Sequence, residues 1–408
     1  MSNVKKGLIS RTYLLPFILI TSLFFLWGFA RSILDVLNKH FQESLSVSVF
    51  QSTLIQASTY LAYALMALPA GIFITRYGYR RGVVMGLGLF ALGAFLFIPG
   101  EGVSSFSLFL GALFILGCGL AVLETAANPY AAELGDPATA ASRLNLAQSL
   151  NGLGSILGPV VVGGYLFSET DAQISIPYSI MGGVVLIVAM IFTRVRLPEI
   201  KDTAIESADG DATAPTGLTA TIRRLWSSAK FRMGVLALFC YEIAEISINS
   251  MFINYSVDSG WMSKHTATLV LSFGALGLFM VARIIGSAVM SRISAARVLT
   301  VCALLTVVCS AVVALDFGSI SRYAVFGCYA FEAIMFPTIF AITISGVKGM
   351  TKIASSFLMM TPLGGAVGTS LMGWVAGQTS ITTAFIVPCA GYLAVLIYAR
   401  MMSRARRS

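Results

Sequence analysis

The chain has 408 residues, of which 57% are hydrophobic and only 11% are charged, and its mean hydropathy is +0.85. Because water-soluble domains carry about 25% charged residues, this composition excludes a soluble globular protein and makes the lipid bilayer the main solvent of the chain. The net charge of +9 does not indicate a nucleic-acid partner, since the basic residues lie in short loops between apolar segments, where they orient a membrane protein.

Apolar segments long enough to cross a bilayer follow one another along the whole chain. The first half contains Tyr13–Leu37, Val49–Ile74, Gly82–Ile98, Phe106–Ala127, Leu144–Phe167 and Ile176–Thr193. The second half contains Met233–Val257, Thr266–Met290, Val298–Ala314, Tyr323–Ile344, Ile353–Ala376 and Thr383–Ala399. The uncharged run 353–399 would form a helix of about 70 Å, roughly twice the hydrocarbon thickness, so it must cross twice, with a turn at 378–380.

The basic residues predict the orientation of these twelve spans. If both termini are cytoplasmic, only Lys39, Lys264 and Arg322 lie in loops on the outer side, as the positive-inside rule requires. The first segment is interpreted as a span, because its apolar run is too long for a cleavable signal peptide. The polar stretch 194–232 predicts a cytoplasmic linker between an N-terminal six-helix half, 1–193, and a C-terminal half, 233–408.

The two halves show weak internal repeats. In the first and seventh spans, Trp27, Ala30, Arg31 and Asp35 align with Tyr241, Ala244, Glu245 and Asn249. In the fifth and eleventh spans, Gly154, Gly158 and Gly163 align with Gly364, Gly368 and Gly373. A proline follows Glu124 and Glu332 at the same interval. Two parallel halves with a site between them are typical of transporters.

The mid-span set of ionisable residues consists of Arg31, Asp35, Glu124, Glu242, Glu245 and Glu332. Such groups are costly in hydrocarbon and persist when they face a cavity or each other. Five acids against one Arg predict that some acids bind a proton or a cation. Asp35 lies four residues from Arg31 on one helix face, and we expect Arg31 to pair with Asp35 or with Glu245. A structural ion pair near a helix end is the alternative for this set.

Polar and aromatic side chains suggest where a polyhydroxylated ligand would bind. The amides of Asn145, Gln148 and Asn151 recur every third residue on one face of the fifth span. Amides both donate and accept hydrogen bonds, which suits a sugar, but they also join membrane helices, and that alternative is favoured for Asn145. The aromatic residues that could stack on a sugar ring, or simply pack, are Trp27, Tyr60, Tyr63, Tyr241 and Phe331.

The motifs of soluble chemistry do not occur in the sequence. There is no Walker-type phosphate loop, no Cys/His metal spacing and no Ser/His/Asp arrangement. The six cysteines all fall in predicted spans and are interpreted as packing residues. We therefore expect neither an enzyme nor a resident cofactor, and no metal site beyond a Na⁺ site of unknown location.

Several motifs carry a family resemblance. The loop from Gly71 to Arg81 resembles the cytoplasmic loop motif of the major facilitator superfamily, with Thr75 where an Asp is usual. The runs 24–27, 69–71, 123–129, 143–148, 336–340 and 355–357 resemble the fucose permease family. The run Leu-Glu-Thr-Ala-Ala-Asn-Pro at 123–129 is the most distinctive of them, and the similarity covers nearly the whole chain.

The resemblance implies cation-coupled symport of a sugar such as L-fucose, glucose, galactose or N-acetylglucosamine. By resemblance, Asp35 and Glu124 match the coupling acids, and Gln148 and Asn151 match the sugar-facing amides. The chain departs from the fucose carriers at Arg31, Glu245, Asn249 and Glu332, and Glu245 matches the glucose/galactose branch. These departures favour a hexose other than L-fucose and leave Na⁺ open beside H⁺.

The sequence thus predicts an all-α membrane protein with the major facilitator fold: twelve helices in two pseudo-symmetric halves, monomeric, in a bacterial inner membrane. The predicted function is hexose symport by alternating access, with H⁺ favoured over Na⁺. The predicted substrate-binding residues are Gln148, Asn151, Trp27, Glu245, Asn249 and Tyr63. The alternative is a proton-coupled antiporter that exports sugars or drugs, suggested by the Gly- and Pro-rich stretch 154–164.

Overall fold

The structure is a computed structural model that describes residues 9, 13–44, 49–163, 165–166, 173–195, 198, 218–347 and 349–405. Within these ranges, the side chains of residues 35–44, 49–53, 56, 264, 265 and 405 are not described. The side chain of Asp35 and the linker residues 199–217 therefore lie outside the described part of the chain. Every regular element among the described residues is a helix, which agrees with the predicted all-α class.

The N-terminal half consists of α1 Leu14–Ser44, α2 Val49–Tyr77, α3 Tyr79–Phe95, α4 Phe97–Gly102, α5 Phe106–Glu133, α6 Ala140–Gly158 and α7 Ser175–Arg194. Helices α3 and α4 follow each other as the third span. A 3-10 turn, Pro137–Thr139, leads into α6, and a π-helical turn, Pro159–Gly163, extends it. Glu101 of α4 accepts the backbone N–H of Ile174 at 2.8 Å and so fixes the start of α7.

The second half consists of α8 Leu218–Ser227, α9 Ala229–Asp258, α10 Lys264–Leu269, α11 Leu276–Met290, α12 Ala295–Ala314, α13 Ser319–Glu332, α14 Met335–Ser345, α15 Thr351–Leu358, α16 Leu363–Gln378 and α17 Ile386–Ala405. A π-helical turn, Val270–Ala275, joins α10 to α11. Helix α8 lies at the end of the predicted linker, and α9 begins four residues before the predicted seventh span.

Eleven helical stretches of the described chain are long and apolar enough to cross a bilayer. The remaining predicted span, 353–376, is divided into α15 and α16 by a turn at residues 359–362. Pro362 has no N–H to bond the carbonyl oxygen of Leu358, and the Thr361 hydroxyl donates to that oxygen at 2.6 Å instead. The proline therefore converts one predicted helix into two short ones.

The tenth span also breaks, directly after Glu332. Pro337 lacks the N–H that would bond the carbonyl oxygen of Ala333, so α13 ends at Glu332 and α14 begins at Met335. Pro129 stands in the equivalent place of α5, where the helix continues but the carbonyl oxygen of Thr125 loses its helical partner. Each proline thus frees one backbone oxygen in the interior of the bundle.

The glycines of the predicted repeat lie at matching helix contacts. An added Cβ on Gly154 of α6 would lie 2.2 Å from the carbonyl oxygen of Phe25 in α1. An added Cβ on Gly364 of α16 would lie 2.6 Å from the carbonyl oxygen of Phe239 in α9. Phe25 and Phe239 align in the predicted repeat, so the α1–α6 and α9–α16 contacts are equivalent, and each needs glycine for its close approach.

The two halves meet at one end of the bundle, which we call the sealed end and which carries the loops 134–139 and 291–294 and the described loop residues 346, 347, 349 and 350. Ser142 of α6 donates to the carbonyl oxygen of Ser287 in α11 at 2.6 Å, and Ser287 donates back to that of Ser142 at 2.8 Å. Asn145 donates to the Thr338 hydroxyl of α14 at 3.1 Å. These bonds close the space between the halves on this side.

Helix α15 completes the sealed end. Its Ser355 hydroxyl donates across the halves to the carbonyl oxygen of Thr125, the oxygen that Pro129 leaves free, at 3.1 Å. Gly71 of α2 packs so closely on α15 that an added Cβ would lie 1.7 Å from the Ser356 hydroxyl. Helix α15 is therefore held against the N-terminal half by a hydrogen bond, and the absence of a side chain at Gly71 allows the close contact.

Arg143 organises the loop that leads to the sealed end. Its side chain is 0% exposed, and its guanidinium donates to the carbonyl oxygen of Asp136 at 2.8 Å and to the Thr139 hydroxyl at 2.6 Å. It also donates to the carbonyl oxygen of Ala132 near the end of α5. A cation at a helix C-terminus stabilises the exposed carbonyls there, so Arg143 fixes how α5 turns into α6.

Candidate functional site

Glu124 lies in α5 with its side chain only 3% exposed. The Tyr63 hydroxyl of α2 donates to Glu124 Oε1, and Trp27 Nε1 of α1 donates to the same Tyr63 oxygen at 2.8 Å. Because the phenol oxygen already accepts from the indole, its own proton points at the carboxylate. Three predicted site residues on three helices therefore form one hydrogen-bonded chain that ends on a buried acid.

Arg31 lies one turn of α1 beyond Trp27, with its guanidinium carbon 5.9 Å from the centre of the indole ring. It interacts electrostatically with Glu242 and Glu245 of α9, across the boundary between the halves. Glu245 also accepts a hydrogen bond from Asn249 at 3.2 Å. The predicted pairing of Arg31 with Glu245 stays a prediction.

The other partner expected for Arg31 was Asp35. Both residues belong to α1, but the Asp35 side chain lies outside the described residues. The position of Asp35 in α1 fits a shared face with Arg31, and its predicted role in coupling stays a prediction.

The three amide residues on one face of the fifth span differ in exposure: Asn145 and Gln148 are buried, whereas Asn151 is half-buried. Gln148 is 1% exposed and donates to the Asn128 side chain at 3.0 Å, while the Asn128 amide approaches the Met359 sulfur at 3.3 Å. Asn151 is half-buried and donates to the carbonyl oxygen of Phe24 at 3.4 Å. Asn145 packs against α14, as the helix-contact alternative expected. In this conformation Gln148 serves the contact between the halves, and Asn151 lies nearer to solvent.

Arg283 of α11 is a residue that the sequence reasoning did not select. It is 5% exposed, and its guanidinium donates to the carbonyl oxygen of Ala333 at 2.8 Å and to that of Gln148 at 3.0 Å. Its guanidinium carbon lies 4.3 Å from the centre of the Phe279 ring. Arg283 thus satisfies the oxygen freed by Pro337 and links the two halves. Its place inside the predicted eighth span was the signal that could have found it.

The C-terminal half carries its own buried acid beside the helix break. Glu332 is 0% exposed, and the Tyr392 hydroxyl of α17 donates to its Oε2, while its Oε1 has no partner in the described chain. Glu242 is 3% exposed, and its Oε2 likewise lacks a partner there. The predicted ion pairing of these two acids with Arg31 stays a prediction.

The predicted aromatic set is only partly available to a ligand. Tyr241 is 1% exposed and packs at 6.4 Å, centre to centre, from the Phe336 ring, so in this conformation it is a packing residue. Tyr60 and Phe331 are half-buried. Trp27 is 7% exposed and already holds Tyr63.

The polar residues between the halves differ in how far their side chains are exposed. Arg31 and Asn151 on one half, and Glu245 and Asn249 on the other, are all half-buried, whereas Glu124 is closed in. Because these four residues belong to helices of opposite halves, we interpret their shared exposure as an accessible space between the halves that ends at the sealed end. Among the described residues, no group of three or more His, Cys, Asp or Glu could hold a metal ion, so no Na⁺ site is located.

Comparisons with known proteins agree with this architecture. The family model described as the Major Facilitator Superfamily matches residues 20–361. The L-fucose-proton symporter of Escherichia coli is 33% identical over 97% of this chain and 94% of its own length. The glucose/galactose transporter of Brucella abortus is 33% identical over 95% of this chain and 93% of its own length.

Solved structures give the same result. A crystal structure of the major facilitator transporter FucP in the outward conformation has a TM-score of 0.85 and 33% identity, and covers 96% of this chain and 99% of its own. The proton:xylose symporter XylE has a TM-score of 0.72 at 14% identity, with 95% of each chain covered, and so supports the fold alone. The predicted fold of two six-span halves is confirmed.

Proposed function

Because this multi-pass membrane protein belongs to the major facilitator superfamily and, within it, to the fucose permease family, we propose that it carries a hexose and a proton together across the membrane. The chain is a transporter and not an enzyme. It matches both an L-fucose-proton symporter and a glucose/galactose transporter at 33% identity. The departures at Arg31, Glu245 and Asn249 favour a glucose- or galactose-like hexose over L-fucose.

The observation that carries the coupling mechanism is the burial of Glu124 behind Tyr63. An ionised carboxylate in such a place is costly unless it is paired with a cation, and the hydrogen bond that Glu124 receives comes from a neutral phenol. Glu124 is therefore best accommodated with a proton. When the halves rock and water reaches it from the other side, the proton can leave, and Asp35 is proposed to share this role.

We assign sugar binding to the polar residues around the accessible space. Asn151, Glu245 and Asn249 offer donors and acceptors at half-buried positions, and Trp27 with Tyr63 offers an aromatic edge next to Glu124. A sugar held by these groups would touch both halves, which ties its binding to their closure. Gln148 would join this set only after the halves separate, because it is now enclosed.

The sealed end is proposed to be the cytoplasmic side, which makes this conformation open to the outside. The positive-inside rule places the loops of the sealed end and both termini in the cytoplasm. The similarity to a transporter solved in the outward conformation supports the same view. We further propose a monomer in a bacterial inner membrane, with two six-helix halves, 1–193 and 233–408, joined by the linker 194–232.

Replacing Glu124 with Gln tests this proposal. In proteoliposomes, Glu124→Gln should retain exchange of labelled hexose, because the amide mimics the protonated acid. It should lose uphill uptake driven by a proton gradient, since no proton is carried. Uphill uptake that survives would refute the assignment, and outside acidification upon sugar addition would favour an antiporter. Asp258→Asn, at the last residue of α9, is the matched control and should behave like the wild type.

A further inference from the structure

Glu332 is a buried acid that the proposed coupling mechanism does not use. Its Oε2 accepts from the Tyr392 hydroxyl, and its Oε1 has no hydrogen-bond partner in the described chain. At 0% exposure, an ionised carboxylate with one neutral donor would lack most of the stabilisation that it has in water. In this conformation the side chain is therefore the neutral acid, with its proton on the carboxyl group.

Titratable and charged groups surround Glu332 from several helices. They are Tyr241 and Glu245 of α9, Arg283 of α11, Cys328 and Tyr329 of α13 itself, and Tyr392 of α17. Arg283 is the one cation in this group among the described residues. A negative charge on Glu332 would be repelled by the Glu245 carboxylate and attracted by the Arg283 guanidinium. Arg283 is therefore the cation with which an ionised Glu332 would pair.

Arg283 does not pair with Glu332 in the sealed conformation. Its Nε donates to the carbonyl oxygen of Ala333, the residue next to Glu332, and its Nη1 donates to that of Gln148 in the other half. Among the described residues, Arg283 is the charged donor in the hydrogen bonds between the two halves. A charged donor binds a carboxylate more strongly than a neutral carbonyl, so ionisation of Glu332 would compete directly with the contact to Gln148.

We propose that Glu332 is a second proton-binding site, in the C-terminal half, and that loss of its proton draws Arg283 away from Gln148 and loosens the sealed end. The proton passes from the Glu332 carboxyl group to water, and Arg283 neutralises the charge that remains, so no other reactant is required. The proposal rests on alternating access but not on the identity of the sugar or on coupling through Glu124. Arg283 acts here as a positioning residue.

Hydrogen exchange followed by mass spectrometry on the purified full-length protein, without sugar, tests this mechanism. The measured quantity is backbone protection in peptides of the sealed end, corrected for intrinsic exchange, from about pH 6 to about pH 9. In the wild type, protection should fall with rising pH. In Glu332→Gln, protection should stay about tenfold higher at the upper pH, because the contact between Arg283 and Gln148 persists.

A double-mutant comparison makes the test specific to Arg283. In the Arg283→Met background, Glu332→Gln should change protection by less than about twofold, because the link is already lost. Ser287→Ala, which removes an unrelated bond of the sealed end, should lower protection by the same factor with or without Glu332→Gln. Tyr392→Phe is a second variant that keeps the Glu332 carboxyl group, in case Glu332→Gln does not fold. It removes the hydroxyl that donates to Glu332, so the fall in protection should move to higher pH.

The proposal is overturned if wild type and Glu332→Gln lose protection equally as the pH rises. It is also overturned if Glu332→Gln acts by the same factor in the Arg283→Met background. Because no sugar is present, a failed transport assay would leave this result unchanged, and a failure here would not bear on Glu124.

Discussion

Replacing Gly154 with Ala tests how closely the first and fifth spans pack. The new Cβ would lie 2.2 Å from the carbonyl oxygen of Phe25 and 2.7 Å from the backbone nitrogen of Phe29. Neither backbone atom can rotate away, so α1 and α6 must move apart by about 1 Å, and such overpacking typically costs about 1–3 kcal/mol or more. Close packing is what holds helices together in lipid, so the stability of this helix pair should fall.

The measurement is the unfolding temperature of the purified protein, with Gly183→Ala in α7 as the matched control. No atom lies within 4 Å of a Cβ added at Gly183, and Ala is favoured over Gly in a helix by about 1 kcal/mol. We expect Gly154→Ala to unfold several degrees below the wild type, at about 2–4 °C per kcal/mol, and Gly183→Ala to unfold at the same temperature or higher. Equal unfolding temperatures for the two variants would refute the close contact of α1 with α6.

Two further substitutions probe the loop before α6 and the accessible space. Arg143→Lys cannot reproduce the fork of hydrogen bonds that ends α5, so it should lower the free energy of unfolding by about 2–4 kcal/mol; an unchanged unfolding temperature would contradict this. Asn249→Ala should raise the Kd for the transported hexose about tenfold by removing one polar contact, measured by ligand-induced thermal shift. Asn254→Ala, exposed on the same helix, should leave the Kd unchanged, and equal effects of the two would remove Asn249 from the sugar site.

Hydropathy predicted the spans well because it reports which segments prefer lipid, but it does not report how each helix is interrupted. The breaks after Glu332 and around Pro362 come from single missing N–H groups, whose effect depends on what accepts the freed carbonyl oxygen. Pro129 carries the same defect, yet α5 continues through it. A proline in a span therefore predicts a free oxygen more reliably than it predicts a bend.

The sequence indicated individual polar side chains for the candidate site but not the hydrogen bonds that join them. The link from Trp27 through Tyr63 to Glu124 joins spans one, two and four, and only the folded bundle brings them together. Gln148 was selected for its amide, but its partner Arg283 was not, because a basic residue late in a span resembles an interface anchor. The acceptor that Arg283 binds depends on how the two halves are arranged. A transporter sequence encodes more than one such arrangement, so the acceptor cannot be predicted from the sequence alone.

The sealed end must open in every transport cycle, and its bonds suit that requirement. The contacts of Ser142 with Ser287, of Asn145 with Thr338 and of Ser355 with Thr125 are neutral hydrogen bonds worth about 0.5–1.5 kcal/mol each. Their sum is a few kcal/mol, which the differential binding of a ligand to two conformations can overcome. Among the described residues, Arg283 is a charged donor of a hydrogen bond between the halves. It binds a neutral carbonyl oxygen and lies beside Glu332, an acid that can compete for it, so we propose that a proton controls this link.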